Sequence, residues 1–502
     1  MTATLKLLDF DDALAQYEPV LGFEVHVELN TTTKMFSPAP NAFGDDPNTN
    51  ITEIDIGLPG TLPAANGRAV DAAIKLGLAL NCSIAEVCRF ARKHYFYPDV
   101  PKNFQTSQYD EPIAFDGWVD VELADGELFR VEIERAHMEE DAGKLVHMGG
   151  YGRIQGAFHS LVDYNRAGVP LIEIVSKPIT GAGERAPELA RAYVMTIRDI
   201  VRSLEISDAR MEQGNLRCDA NVSLMPQGAT EFGTRTETKN VSSMRAIQHA
   251  VTYEIRRQSA LLSAGTPIVQ ETRHWHEDSR STTPGRVKSD ADDYRYFPEP
   301  DLVPIEVDQT WIDRLRAQLP ELPLERRKRL KAAWGYSEQE FRDVVHAGVL
   351  DEIEATIAAG TSPAAARKWW MGEIARLAND ADVAVTDIGI RPETVAELQA
   401  LINNATINDR IAKQVLGHVA DGEGTPKQIV EQRSLAVVSD ETALTEAVEA
   451  AIADNPDVVT KIIDGKTPAI GALIGPVMQA TRGQADARRV RAIVLRKLGI
   501  TD

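Results

Sequence analysis

Up to about residue 300 the chain alternates apolar and polar positions in short segments punctuated by glycine and proline. Beyond about 305 the pattern lengthens into alanine-, leucine- and charge-rich runs of helical period. Period-two alternation or short apolar runs predict strands over 23–29, 129–133, 171–175, 217–224 and 234–240. Helical periodicity predicts helices over 69–80, 188–204 and 246–263. Many strands with a few helices between them predict an α+β unit over residues 1–304, built on a mostly antiparallel sheet. Residues 305–390 read as all-helical, with helices over 311–318, 324–334, 337–347 and 364–378, the last carrying Trp369 and Trp370. Pro392 suits a first helical turn and opens a third unit, 391–502, of short helices separated by glycine-bearing turns.

Composition narrows the class. With 502 residues, 43% apolar and 26% charged, the chain is globular and long enough for two to four domains. Three cysteines, Cys82, Cys88 and Cys218, are too few and too scattered for a disulfide framework or a four-ligand zinc site, which points to a reducing compartment. No apolar run approaches the roughly 20 residues that span a bilayer. The first residues lack the plan of a signal peptide, so a cytoplasmic protein is expected. Fifty-four basic against seventy-five acidic residues give a net charge of -21, a repulsive mean field for any polyanion. RNA contact, if it occurs, must be local.

The chemistry sits on the alternating segments. In 22–30, Phe23, Val25, Val27 and Leu29 share one face, and Glu24, His26, Glu28 and Asn30 share the other. A solvated outer face would account for that segment standing alone. Residues 135–141, however, place Glu139, Glu140 and Asp141 in succession beside His137, where carboxylates repel unless a cation intervenes; the bland alternative is a charged surface turn. Glu173 interrupts an otherwise apolar strand and needs a metal, an arginine or a hydrogen-bonded partner, unless that strand is an exposed edge. Two more strands carry Arg217, Asp219, Asn221 and Ser223, and Arg235, Glu237 and Lys239, each set on one face. Hard oxygen donors with one imidazole suit Mg²⁺ or Mn²⁺, while Arg92, Lys93, Arg166, Arg235 and Lys239 suit phosphate. The combination implies metal-assisted handling of a nucleoside triphosphate. It lies outside the P-loop plan: the glycines at 228 and 233 have Walker-like spacing but run on into Thr234-Arg235, and Gly150, Gly152 and Gly156 fit a dinucleotide fingerprint only loosely. Cys218 has no nucleophile context, and no G-x-S-x-G elbow occurs.

The run DYNRAGVPLIEI at 163–174 closely resembles the signature of the B subunits of the glutamyl-/aspartyl-tRNA amidotransferases. GFEVHVEL (22–29), KMFSPAPNAFG (34–44), RKHYFYPDVPKNFQTSQ (92–108), HMEEDAGK (137–144), GNLRCDANVSL (214–224) and DDYRYFPEPDLVP (292–304) extend the resemblance over the first unit in family order. The tail, ending in TRGQAD (481–486), is similar to a small YqeY-like module.

The resemblance implies ATP-dependent phosphorylation of the side-chain carboxylate of Glu-tRNA(Gln) or Asp-tRNA(Asn), followed by amidation with ammonia. On that footing His26, Glu140 and Glu173 are expected to ligate one divalent ion. Glu24, Glu139 and Glu237 would serve a second ion, with the choice between Glu139 and Glu140 left open. Asp219 is expected to contact metal or a substrate ammonium, and Lys93, Asn165, Arg166 and Lys239 to hold phosphate or carboxylate. Some relatives bind zinc through cysteines near the KMF segment; Ser37 stands here, so no zinc is expected. Gln213 replaces a common glutamate, which removes it from the ligand set. Ammonia would come from the amidase (A) subunit of the same amidotransferase, with a small C subunit completing the complex. Local basic surface at Arg326, Arg327, Lys328, Arg329 and Lys331, and at Arg482, Arg488, Arg489, Arg491, Arg496 and Lys497, is expected to meet tRNA, though solvated helix faces would look the same. Two alternatives stand beside this reading: a catalytically silent tRNA-docking scaffold, and a metal-dependent phosphotransferase for a small carboxylic acid.

Overall fold

The computed structural model describes residues 6–149, 156–287, 294–436, 441–464, 466–481, 485 and 487–500. Gly150 and Gly152 of the loose glycine motif, Asp292 and Asp293, and Arg482 with most of the TRGQAD segment lie outside the described residues. The chain divides into two compact units, Met1–Arg326 and Arg327–Asp502.

The first unit carries strands β1 (Tyr17–Glu28), β2 (Ser83–Ile84), β3 (Val87–Cys88), β4 (Ala91–His94), β5 (Phe104–Ser107), β6 (Ala114–Glu122), β7 (Leu128–Glu140) and β8 (Lys144–Met148). They are followed by β9 (His159–Asp163), β10 (Pro170–Ser176), β11 (Leu216–Pro226), β12 (Thr236–Lys239), β13 (Glu271–His276), β14 (Ser281–Val287), β15 (Phe297–Pro298) and β16 (Ile305–Glu306). Among the described residues, twelve of these make one sheet in the order β14-β13-β12-β11-β1-β10-β7-β5-β4-β15, with β6 paired to β7 and β2 to β6. Among the described strands only β12 and β13 run parallel. The mostly antiparallel α+β fold expected from the alternation is therefore the fold found, and all five predicted strands lie within or overlap β1, β7, β10, β11 and β12. The predicted helices appear as α2 (Gly67–Ala79), α3 (Ala186–Ser203) and α4 (Met244–Ser263), after a short α1 (Phe10–Gln16).

The alternation explains why the sheet has a dry and a polar face. Phe23, Val25 and Val27 of β1 are at most 1% exposed and belong to the core that α2, α3 and α4 help to form. The rings of Phe23 and Tyr193 of α3 stack at 5.2 Å. Burying a side chain of this size contributes about 1.5–3 kcal/mol each. The intervening residues of β1, β7, β10, β11 and β12 point to the opposite face. The turn before β10 requires its glycine: Gly168 has φ +85°, and a Cβ there would meet Asp55 Oδ1 at 2.8 Å.

In the second unit the helices include Glu338–His346, Leu350–Ala358, Pro392–Asn403, Asp409–Ala420 and Pro426–Gln432. The helix expected over 364–378 is interrupted. Pro363–Lys368 runs into a π-helical turn, Trp369–Ile374, before Ala375–Asp380 continues it. Adjacent Trp369 and Trp370 are both 1% exposed, with their indole N–H groups donating to Gln399 Oε1 and Thr356 Oγ1, each at 2.8 Å. The boundary expected at 390/391 does not separate two cores: Val395 and Leu398 beyond Pro392 pack in the same apolar cluster as Trp369 and Trp370, which runs from Leu330 to Val430. A second cluster, from Leu444 to Leu495, is built by Glu441–Asp454, Pro456–Ile463, Gly471–Ala480 and Ala487–Leu498. Among the described residues no helix is long and apolar enough to cross a membrane.

Candidate active site

Strand register gathers the polar residues. His26 of β1 lies opposite Glu173 of β10, Glu173 opposite His137 of β7, and Glu24 of β1 opposite Asp219 of β11. Asn221 of β11 lies opposite Glu237 of β12, and Ser107 of β5 opposite Glu139 of β7. Opposed residues share a face, as do residues two apart along a strand, so these groups converge on one side of the sheet. Glu24, His26, Glu139, Glu173, Asp219 and Glu237 line a cleft of about 850 Å³, which is also lined by Tyr95, Tyr109, Arg135, Tyr294 and Tyr296.

Two sets of donors stand out in it. One atom each from His26, Glu139 and Glu173 lie within 4.8 Å of one another, and so do one atom each from Glu24, Asp219 and Glu237. Each set is held from behind. Glu139 accepts from Ser107 Oγ at 2.7 Å and from Gln105 Nε2 at 3.0 Å. His137 Nε2 lies 3.3 Å from Glu139 Oε1 and 3.2 Å from Glu173 Oε2. Glu237 accepts from Thr272 Oγ1 at 2.8 Å, and Glu24 from Asn221 Nδ2 at 3.2 Å.

The electrostatics keep these carboxylates ionised. Burial pushes the Glu139 carboxyl up, but the Lys93 ammonium and His137 outweigh it and hold it below its usual value. Glu173, likewise buried, is held well below its usual value by His137 and His26. Burial pulls the Lys93 and Lys239 ammonium groups down, yet Glu139 beside the first and Asp219 and Glu237 beside the second leave both above their ordinary values. Lys239 pairs with Asp219 and lies 3.5 Å from Glu237. Arg235 is exposed at the rim. Glu28 belongs to neither set: burial and the adjoining Asp141 carboxylate push its carboxyl up to about 9, so it is a neutral acid at pH 7. Asp141 itself is buried but held low by Arg217 and Arg166.

The structure thus brings together Glu24, His26, Glu139, Glu173, Asp219 and Glu237, with Lys93 and Lys239 beside them. It does not bring Glu140. Adjacent residues of a strand face opposite ways, and Glu140 turns from the cleft to pair with Lys102 and accept from Thr106 N at 3.0 Å. Asn165 is also elsewhere: its amide donates to Asp46 O at 2.8 Å and its oxygen accepts from Asn50 N at 2.9 Å, so it pins a loop. Arg166 donates to the carbonyls of Ala142 and Gly143 and lines an adjoining 460 Å³ hollow that also has Arg217 in its wall. His137, Gln105, Ser107 and Thr272 escaped the sequence reading as site residues. For His137 the signal was present, since it stands two residues before Glu139 on the same strand.

Apart from Arg482, the basic residues expected at tRNA lie on two helices. Arg326, Arg327 and Arg329 belong to Pro323–Trp334, where Arg329 pairs with Glu354 at 2.9 Å. Arg488, Arg489, Arg491 and Lys497 are exposed on Ala487–Leu498, whose Val490, Ile493 and Val494 are buried, and Lys497 pairs with Glu449.

An acidic, lysine-studded antiparallel sheet followed by helices is an architecture with named counterparts. Residues 19–313 match the family profile described as the GatB/GatE catalytic domain, and residues 351–498 match that described as the GatB domain. The chain is 67% identical over 500 residues, 99% of its length and 100% of the relative's, to the aspartyl/glutamyl-tRNA(Asn/Gln) amidotransferase B subunit of Pseudarthrobacter chlorophenolicus. It is 59% identical over 503 residues, all of both chains, to the protein of the same name from Streptomyces coelicolor. The chain belongs to the family of aspartyl/glutamyl-tRNA(Asn/Gln) amidotransferase B subunits, within the tRNA-dependent amidotransferase ligases. Their designation as B subunits places the members of this family in a multi-subunit enzyme.

Proposed function

We propose that the cleft uses ATP to activate the side-chain carboxylate of Glu-tRNA(Gln), Asp-tRNA(Asn) or both, and then replaces the activated oxygen with ammonia. The negative charge of a carboxylate repels nucleophiles, so one oxygen must first become a leaving group. That oxygen attacks the γ-phosphorus, ADP departs, and ammonia displaces inorganic phosphate from the acyl phosphate to leave the amide.

The donor chemistry fits divalent ions, since carboxylate oxygens with one imidazole match Mg²⁺ or Mn²⁺. His26, Glu139 and Glu173 hold one ion, and Glu24, Asp219 and Glu237 hold a second. A divalent ion at either set neutralises charge on the phosphoryl oxygens. Lys239 and Arg235 hold the phosphate groups, and Lys93 holds the substrate carboxylate. The surrounding protein keeps Glu139 and Glu173 ionised, which both ion binding and phosphate orientation require.

Ammonia arrives from a glutaminase partner, with a small third chain completing a cytoplasmic complex. The tRNA body rests on basic surface that includes Arg326, Arg327 and Arg329, and Arg488, Arg489, Arg491 and Lys497. Favourable phosphate contacts act locally against the overall charge of -21.

One observation carries this reading: two compact donor sets lie on one face of one sheet, inside one cleft. The assembled complex with ATP, Mg²⁺ and Glu-tRNA(Gln) should release ADP and form Gln-tRNA(Gln), with free ammonium able to replace glutamine. ADP release of equal rate with free glutamate and no tRNA would overturn it in favour of a small-acid phosphotransferase.

A further inference from the structure

His137 is fully buried, yet it sits against two carboxylates. Register puts it directly opposite Glu173 across the β7–β10 pair, and alternation puts it on the same face as Glu139. Its Nε2 reaches Glu139 Oε1 at 3.3 Å and Glu173 Oε2 at 3.2 Å, while Nδ1 has no partner. Ser107 and Gln105 hold Glu139, but they leave its spacing from Glu173 unset. His137 touches both. Glu173 Oε1 then faces His26 Nε2 at 3.9 Å across the mouth of the donor set.

The residue type matters. Two carboxylates this close in a dry wall repel, and an apolar side chain between them would let each swing toward water. An imidazole N–H occupies one oxygen lone pair on each carboxylate and leaves others facing the cleft.

We propose that His137 is a positioning residue: it clamps Glu139 and Glu173 at the separation and rotamers that let them share one divalent ion with His26. The inference rests on the proposed ion centre and goes beyond it by naming what sets that centre's affinity. Partners behind metal ligands typically govern affinity by about 10–100-fold.

The test is Mn²⁺ titration of the assembled complex, read by electron paramagnetic resonance, with Tm of each variant recorded in chelator. Wild type and Glu173→Gln establish first whether the ion centre exists. If Glu173→Gln leaves the Mn²⁺ isotherm unchanged, the functional reading itself fails. If it removes a site, His137→Leu should weaken that site by about 10–100-fold. His137→Gln, whose amide nitrogen lies near the imidazole Nε2 position, should stay within a few-fold of wild type. His137→Asn, whose amide is too short, should behave like the leucine variant. The Gln and Asn pair decides the matter if the leucine variant does not fold. Wild-type Mn²⁺ affinity in both His137→Asn and His137→Leu, or equal loss in Gln and Asn that tracks a fall in Tm, overturns the positioning role while leaving the ion centre intact.

Discussion

Glu139 and Glu140 are consecutive in β7 and buried to 2% and 4% exposure, yet they serve opposite sides of the sheet. Glu139 turns to His137 and Glu173, and Glu140 turns to Lys102 and the Thr106 amide. The pair gives a clean contrast. Glu139→Gln should abolish ADP formation and remove a Mn²⁺ site. Glu140→Gln leaves the Lys102 ammonium with no ionised partner in a part-buried place, a loss of roughly 3 kcal/mol, and its effect should appear first in the unfolding midpoint. If the two variants exchange these behaviours in denaturation and Mn²⁺ titration, the assignment is reversed.

A second prediction concerns acid stability. Glu254 of α4 is 0% exposed and holds Arg257 at 2.7 Å, Thr282 at 2.6 Å and Arg273 at 3.2 Å. Burial pushes its carboxyl up, but Arg257, Thr282 and Arg273 outweigh burial and hold it below 4.5, its usual value. The folded chain therefore keeps Glu254 ionised at a pH where the unfolded chain has protonated it. The stabilisation is complete above 4.5 and is lost as pH falls through the lowered value. Glu254→Gln should lose about 3–5 kcal/mol at neutral pH by leaving the buried Arg257 guanidinium without its carboxylate and Arg273 with Glu271 alone. Urea midpoints of the two chains should converge as pH is lowered below 4.5; a gap that widens there is the wrong sign.

The Tyr193 hydroxyl is buried with no hydrogen-bond partner although its ring stacks on Phe23. Removing an unsatisfied buried polar group is neutral or favourable, so Tyr193→Phe should match or exceed wild-type stability. A loss above about 1 kcal/mol in calorimetry would mean the hydroxyl is satisfied.

Arg489 and Arg491 are exposed on the last helix of the tail. Replacing both with alanine should weaken tRNA binding and lower the slope of log K against log salt by about two, close to one per lost phosphate contact, with ADP formation at saturating tRNA retained. An unchanged slope removes this helix from the tRNA contact.

Much of this was legible in the amino-acid sequence because strands make it so. Strict alternation in 22–29 fixes which residues of β1 face the cleft, and an acidic residue inside the apolar run 169–175 marks Glu173. Glu139 and Glu140 were harder, since the strand's phase decides between them and a run of consecutive polar residues carries no phase of its own. The i, i+2 relation from His137 would have supplied it. Asn165 failed for a different reason: a loop residue in a strong motif is as apt to pin the turn as to touch a ligand, and nothing local distinguishes the two. Gln105, Ser107 and Thr272 lie on short strands whose partners depend on long-range pairing. The π-turn at Trp369 and the shared core across Pro392 are likewise tertiary facts, since helical periodicity shows where a helix begins but not which core it joins.

The most direct measurement is the anomalous difference map of crystals of the assembled complex holding Mn²⁺ and a non-hydrolysable ATP analogue. A manganese peak is expected about 2.1–2.5 Å from His26 Nε2 and from oxygens of Glu139 and Glu173, with the analogue's phosphates beside Lys239 and Arg235. Nucleotide and manganese bound elsewhere, with these carboxylates contacting only protein, would contradict it.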